Sequence, residues 1–387
     1  MKTGDNMALL YNADEAVKLR NEIKNFIVNG NSLSENERKL KFNELCLKTF
    51  KLQFDNIPAY KKFCLAKQMT PDNVNLYEMI PPIPVNAFKA ADIFIHSVND
   101  AKITFKTSGT SQNNKGNSYF TEEGAEITSL AIVKNAKDYL FPDNLNTRFF
   151  LISPTPEAAP NLTMVFGITE VMKNVGTYGG RHYIGKDGIM WRELFADLDD
   201  AASKNIPVTI IGPSFAIVFM IDKMNAENRK YKLPAGSRFL DAGGFKGKSR
   251  EISRSEMLSH IKEMFGVESE YCVNTLGMSE LGTQYYDDNL KNHIAGKKTS
   301  ACSKGNPYWA RTLVADIEND FKILPAGNYE KKGALVHYDL TDFERAIGIL
   351  TDDFGRYAPG GFEILGRINP GDLKGCSLTI EELLTKK

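Results

Sequence analysis

The run ITFKTSGTSQNNKG, from Ile103 to Gly116, gathers hydroxyl side chains, glycine and lysine within a short span. A strand-like start leads into Thr107, Ser108, Gly109, Thr110 and Ser111, and Lys115 with Gly116 closes the run. Hydroxyls and open backbone N–H groups can donate to phosphate oxygens, glycine lets the backbone come close, and lysine adds positive charge. The Walker spacing GxxxxGK[ST] is not met, because Asn114 precedes Lys115 and Gly116 follows it. On motif grounds the run is therefore not a P-loop. A polar hairpin or surface loop would have the same composition, since these residue types dominate turns.

The elements that must carry such a loop follow from hydrophobic spacing. Apolar residues recur at helical intervals from Asp14 to Val28. Ser34 and Glu37 fit a capping box ahead of a second helix through about Phe54. The Pro-punctuated IPPIPVNAF cannot be a helix interior. After it, KITFKTS, TRFFLISP, PVTIIGPS, SRFLDAGG and SEYCVNTLG alternate with helical stretches, a rhythm that predicts βα units around largely parallel, buried strands. Beyond about residue 330, GALVHYDL, AIGILTDD and GFEILGRI predict a more antiparallel region. The expected fold class is α/β. A helical segment at residues 1–100 is integrated with an α/β core at 101–330. A β-rich subdomain follows at 331–366, then a short tail at 367–387.

Composition narrows the functions open to the chain. It has 387 residues with 48 basic and 48 acidic side chains, so there is no basic excess to neutralise a nucleic acid. The N-terminus has no sustained apolar h-region and does not read as a secretory signal, which predicts a cytosolic protein. The most apolar stretch, Val208 to Ile221, is too short to span a bilayer and reads as strand, turn and helix. The five cysteines, Cys46, Cys64, Cys272, Cys302 and Cys376, are widely spaced and form no CxxC, against a disulfide framework or a zinc site.

The order TSGTSQNNKG resembles the phosphate loop of the adenylate-forming superfamily, roughly [ST]SG[ST][ST]GxPKG. Gln112 and Asn114 stand where glycine and proline are usual. Three further segments follow in that superfamily's order. LDAGGFKGK, with Gly243 and Gly244, resembles the turn beside the adenine. YCVNTLGMSELG resembles the YGxTE segment, with Leu276 where an aromatic usually stacks, then Gly277, Met278, Ser279 and Glu280. ILTDDFGR followed by FEILGR resembles the ribose segment, with Asp353 and Arg367 in its aspartate and arginine positions. The resemblance implies ATP and Mg²⁺ as cofactors. The Ser279 hydroxyl would meet the α-phosphate, the Glu280 carboxylate would hold Mg²⁺, Asp353 would accept from ribose hydroxyls, and Arg367 would reach ribose or phosphate. Taken singly, each segment also reads as an ordinary turn, helix start or surface residue.

The tail GRINPGDLKGCSL, together with IPVNAFKAADI near residue 85, resembles one branch, the LuxE family of acyl-protein synthetases. Full-length acyl-CoA synthetases carry a C-terminal domain for which this chain leaves no room. The branch implies activation of a fatty acid as acyl-AMP, transfer to a cysteine near the C-terminus, and delivery to a partner acyl reductase. Cys376 matches that cysteine, and Lys115 and Arg367 join it as catalytic candidates. A thiolate attacks a mixed anhydride readily, and Lys374 nearby favours the thiolate. Gly371 and Gly375 would act as hinges. A small incidental cysteine is the plainer reading. Two other functions stay open: direct delivery to coenzyme A or a carrier protein, and a non-catalytic adenylate-binding scaffold. His182, in a glycine-rich stretch expected to turn, is a candidate to reach the acyl site, and TMVFGI (Thr163 to Ile168) would suit either an acyl tunnel or core.

Overall fold

The computed structural model describes residues 13–106, 116–176, 178–243, 249–297 and 303–368. The chain starts with three helices, α1 (Ala13–Asn29), α2 (Glu35–Asn56) and α3 (Pro58–Ala66). The predicted capping box is present at α2: Ser34 Oγ accepts the Glu37 N–H, and the Glu37 carboxylate accepts the Ser34 N–H at 2.8 Å. The proline-rich stretch forms the short strand β1 (Ile83–Pro84) and one turn of helix, α4 (Ala87–Ala90). A hairpin of β2 (Ile103–Lys106) and β3 (Asn117–Phe120) follows, then the long α5 (Glu122–Tyr139).

The middle of the chain builds a layered α/β unit. Its elements are β4 (Arg148–Leu151), α6 (Thr163–Val175), β5 (Gly180–His182), the small hairpin β6 (Ile184–Gly185) and β7 (Gly188–Ile189), and α7 (Trp191–Ser203). Next come β8 (Val208–Pro213), α8 (Ser214–Ala226), β9 (Arg238–Ala242), α9 (Arg254–Phe265), β10 (Cys272–Leu276), β11 (Tyr285–Tyr286) and α10 (Asn289–Ile294). The sheet order is β11-β10-β9-β8-β4-β5, parallel except for the β11 edge. Every residue of β8 is buried, as a central parallel strand covered on both faces requires. Helices α7, α8 and α9 cover one face, and α5, α6 and α10 the other, each with its own apolar cluster.

One expected member of this sheet is missing from it. Ile103–Lys106 pairs antiparallel with Asn117–Phe120 instead of joining the parallel strands. The return strand NSYF is only four residues long and opens on two polar residues, Asn117 and Ser118, so its pairing was hidden in the sequence. Phe105 and Phe120 lock the hairpin with ring centroids 5.1 Å apart, and Phe166 of α6 packs on Phe105. The stretch from Val208 to Ile221 is strand, turn and helix as read.

The C-terminal part is antiparallel, as its shorter gaps predict. It comprises β12 (Lys304–Gly305), β13 (Ala310–Asp316), β14 (Lys322–Ile323), β15 (Lys332–Asp339), β16 (Gly348–Ala358) and β17 (Gly361–Arg367), in the order β12-β17-β16-β15-β13-β14. The sheet thus draws strands from both sides of residue 330. It also borrows β1, which runs parallel to β16 through Ile83↔Ile349 and Pro84↔Leu350. The three N-terminal helices pack on this sheet in one large apolar cluster. The buried Lys304 ammonium joins the two sheets: it donates to the buried Asp287 at 2.6 Å and to the half-buried Asn274 side chain at 2.7 Å.

Candidate active site

Strand order fixes where a ligand can enter. From β4 the chain goes to β5 on one side and then to β8 on the other, so the order reverses between β4 and β8. In open α/β sheets the crevice beyond the carboxyl ends at such a reversal receives ligands. Ser153, Ser214 and Gly243 stand just beyond β4, β8 and β9. Gly243 has φ +68°, a left-handed conformation glycine adopts without strain, and its carbonyl accepts the Ser214 hydroxyl at 2.9 Å. Ser214 also donates to Asp241, and Asp241 in turn is paired with Arg254 and accepts from Asn274 at 2.9 Å. This network holds the turn after β9 against the start of α8.

After β10 the chain turns without helix through Gly277, Met278, Ser279 and Glu280. Ser279 and Glu280 are both 6% exposed, and the Ser279 hydroxyl donates to the Glu280 carboxylate at 3.0 Å. Burial raises the pKa of Glu280; the Ser279 hydroxyl and then the charges of Lys89 and Arg345 oppose that rise. The loop is clamped from behind by the turn between β15 and β16. Asp342 accepts the Gly282 N–H at 3.0 Å, and Asp339 accepts the Thr283 N–H at 2.8 Å and its hydroxyl at 3.0 Å. The Arg345 guanidinium pairs with Asp342 and lies 3.7 Å from the Phe120 ring centroid. Glu344 accepts the N–H and hydroxyl of Thr121, at the start of α5. The clamp therefore ties the loop after β10 to the hairpin β2–β3. Removing one member of a buried pair of this kind costs about 3–5 kcal/mol.

The same turn runs into β16, which carries Asp353. Its cross-strand partner in register is Arg367 on β17. The guanidinium Nε lies 3.8 Å from the carboxylate, and the arginine side chain is 76% exposed while Asp353 is 8% exposed. Burial raises the Asp353 carboxyl's pKa, and the Arg367 charge opposes this. The aspartate pair is thus no solvated turn: Asp352 faces out, while Asp353 faces in beside a solvent-exposed arginine.

The sequence profile of a family described as acyl-protein synthetase, LuxE, matches residues 7–385. The chain belongs to the LuxE family. A relative, the long-chain-fatty-acid–luciferin-component ligase of Vibrio harveyi, is 22% identical over 364 residues, 91% of this chain and 90% of that protein. Among solved structures, 2-hydroxyisobutyryl-CoA ligase in an open conformation with 2-HIB-AMP and CoA is similar at a TM-score of 0.62 and 12% identity, covering 86% of this chain and 76% of that one. The postadenylation state of that ligase with R3-HIB-AMP gives a TM-score of 0.64 at 12% identity, covering 87% and 69%. At that identity the likeness is one of fold, that of the adenylate-forming enzymes. This LuxE chain is an ATP-dependent acyl-protein synthetase, a ligase that activates an acid. No helix among the described residues is long and apolar enough to cross a membrane.

Against this LuxE fold the sequence-predicted residues divide clearly. Gly243, Leu276, Gly277, Met278, Ser279, Glu280, Asp353 and Arg367 sit on strand ends, on loops that follow strands, or on facing strands. Leu276 is half-buried and packs toward the large core cluster. Thr107 to Ser111, Lys115, Gly244 and Cys376 lie outside the described residues. His182 is on the edge strand β5 and not in a turn, because Gly180, Arg181 and His182 pair with Phe149, Phe150 and Leu151 of β4. Ser153 Oγ lies 3.0 Å from its Nδ1 and Thr169 Oγ1 3.4 Å from its Nε2; burial lowers the imidazole's pKa. Within TMVFGI, Val165 and Ile168 are core. Cys46, Cys64 and Cys272 are free and buried, which pushes the thiols of Cys64 and Cys272 up to about 12. Asp339, Asp342, Glu344 and Arg345 were not legible as site residues. Charged residues between two strands read as an exposed turn; the only signal is the density of charge in LTDFER.

Proposed function

We propose that this enzyme activates a fatty acid as acyl-AMP, carries the acyl group on Cys376 as a thioester, and delivers it to a partner such as an acyl reductase. The observation that carries the first step is the Ser279–Glu280 pair, a buried carboxylate with a single hydroxyl partner on a rigidly clamped loop. That donor set suits Mg²⁺, which takes one or two carboxylates and completes its shell with phosphate oxygens and water. Among the described residues no three acidic, histidine or cysteine side chains gather as a cation cage, so the phosphates would complete the shell. Bound there, Mg²⁺ would neutralise charge on the phosphates as pyrophosphate departs. The fatty-acid reading draws support from the Vibrio harveyi relative, whose name specifies a long-chain fatty acid.

The residues divide the work by chemistry. The acid's carboxylate oxygen attacks the α-phosphorus, and the bond to the bridging oxygen of pyrophosphate breaks. Ser279 donates to an α-phosphate oxygen, and Arg367 swings from Asp353 toward ribose or phosphate. Asp353 accepts from the ribose hydroxyls, the Gly243–Gly244 turn borders the adenine, and Leu276 lies against its face. Thr107, Ser108, Gly109, Thr110, Ser111 and Lys115 supply donors and charge to the phosphates. The Cys376 thiolate then attacks the acyl carbonyl, and AMP leaves.

Intact mass after incubation with ATP, Mg²⁺ and straight-chain fatty acids tests the whole sequence. The expected gain equals the acid less one water, and hydroxylamine removes it. Pyrophosphate release with no gain, and a thioester formed on added coenzyme A, would point to direct delivery. No pyrophosphate with any acid would end the enzymatic reading of these residues.

Asp353 makes ATP binding pH-dependent. Burial raises its folded pKa from the ordinary value of an aspartate. The ionised form accepts ribose hydroxyls best, so ATP affinity holds at high pH and falls as pH drops through the raised value. Asp353→Asn flattens that dependence and weakens ATP about 10- to 100-fold. Calorimetry across pH checks both; an unchanged profile removes Asp353 from the ribose site.

A further inference from the structure

We propose that the side-chain amide of Gln284 donates to the acid's second oxygen, the one that becomes the carbonyl of acyl-AMP. The proposal rests on the acyl-AMP reading above. Its basis is where the fold places this amide. In the antiparallel pairing of β10 with β11, Leu276 faces Tyr285. One step further along, Gln284 comes alongside Gly277, the first residue of the turn that carries Ser279 and Glu280. A Cβ on Gly277 would lie 3.5 Å from Gln284 Cγ. The Asn135 side chain of α5 donates to the Gln284 carbonyl at 2.6 Å and fixes its backbone. The far end of the side chain reaches α6. A Cβ on Gly167 would stand 2.0 Å from Gln284 Nε2, so the amide fills the room that a side chain there would need. The neighbouring Phe166 packs on Phe105 of β2, the strand that leads into Thr107 to Ser111 in sequence. The amide therefore lies beyond the carboxyl end of β10, between the Ser279–Glu280 turn and α6, on the side of the sheet where ligands enter.

The amide's hydrogen bonding is half complete. The hydroxyl of the buried Tyr286 donates to Gln284 Oε1 at 2.9 Å, which orients the group. Among the described residues Nε2 donates to no acceptor, although Gln284 is only 7% exposed. A buried donor of this kind is costly unless a ligand supplies the acceptor. Of the reacting groups, the acid is the one for which the fold has shown no donor: Ser279, Arg367 and the Thr107–Ser111 run serve ATP oxygens, and Asp353 serves the ribose. A carboxylate oxygen is the acceptor that a neutral N–H fits. During adenylation the amide holds one carboxylate oxygen while the other bonds to the α-phosphorus, and pyrophosphate leaves with the electron pair of the broken P–O bond. When a thiolate adds to the acyl carbon, the C=O π pair moves onto the held oxygen, where the N–H stabilises it. That pair re-forms the C=O bond as the bond from carbon to the AMP oxygen breaks, and AMP leaves with the electrons of that bond.

The test uses the full chain with two variants. Gln284→Met keeps the length of the side chain and removes the donor. Gly167→Ala keeps the donor but puts a methyl where Nε2 sits, and the helix itself gains from alanine. Calorimetry compares dodecanoyl-sulfamoyl-adenosine, an acyl-AMP analogue that has the carbonyl, with adenosine 5′-dodecyl phosphate, which has the chain and no carbonyl. Both variants are expected to weaken the first about 10-fold and to leave the second, and MgATP, within about twofold of wild type. The KM for dodecanoate in pyrophosphate exchange should rise about 10- to 100-fold, because the free acid carries a full charge. Equal weakening of both analogues would overturn the proposal, and so would unchanged binding of both in Gln284→Met. Should Gln284→Met lose MgATP as well, through damage to the fold, Gly167→Ala alone decides by the same comparison. If neither analogue binds the wild-type protein, the acyl-AMP reading fails, and the role of Gln284 with it. If both bind and their ratio is the same in wild type and variants, this proposal alone falls.

Discussion

Glu280→Gln lowers acyl-AMP formation about 100- to 1000-fold and raises the Mg²⁺ concentration for half-maximal rate. Glutamine keeps the size of the side chain and still accepts the Ser279 hydroxyl, so the loop held by Asp339 and Asp342 stays in place. What is lost is the negative charge on a hard oxygen ligand, and that is the property Mg²⁺ needs. The charge is costly to the free protein, since burial at 6% exposure disfavours the carboxylate. The variant should therefore melt no lower than wild type without Mg²⁺, while wild type gains more from added MgATP. Pyrophosphate release over a Mg²⁺ titration, with thermal melts beside it, checks both halves. Wild-type Mg²⁺ dependence in the variant would remove Glu280 from the metal site. A large drop in melting temperature would mean that the carboxylate serves the fold.

Cys376→Ser is expected to abolish the hydroxylamine-labile acyl-enzyme, by at least about 100-fold, and to leave the exchange of pyrophosphate into ATP within about twofold. The exchange reports only the first step, in which the thiol takes no part. The second step needs a thiolate, and a serine hydroxyl at neutral pH offers almost none of the corresponding anion. The buried cysteines cannot take over: desolvation holds Cys64 and Cys272 near 12 and pushes Cys46 well above its ordinary value. Intact mass of wild type and variant after identical incubation decides the matter. Equal labelling would end the carrier role of Cys376 and leave adenylation standing.

The pattern of elements was legible because it is local. A capping box at Ser34 and Glu37, a fully apolar VTIIGP and the short-gapped apolar runs after residue 330 each state their conformation within a few residues. The order of glycine-rich and acidic segments was legible for the same reason, and the family profile spans all of them, from residue 7 to 385. Three things were not. Ile103–Lys106 looked like another parallel strand, because its partner NSYF is only four residues long and half polar. His182 looked like a turn residue, because glycines on both sides outweighed one short pairing with β4. The role of the LTDFER turn was not legible, because burial of its charges depends on distant partners at Thr121 and Gly282.

The sequence by itself thus determined which segments are helix or strand, and it singled out Ser279, Glu280, Asp353 and Arg367 as the residues proposed here for adenylate chemistry. The tertiary structure alone decided how they are held. Asp353 faces Arg367 only because β16 and β17 pair in that register. Glu280 is buried on a fixed loop only because Asp339 and Asp342 accept N–H groups from residues far away in the chain. Spacing along the chain encodes local hydrogen bonding and amphipathicity, whereas long-range register is set by which apolar faces bury one another, and that is settled only when the whole core packs.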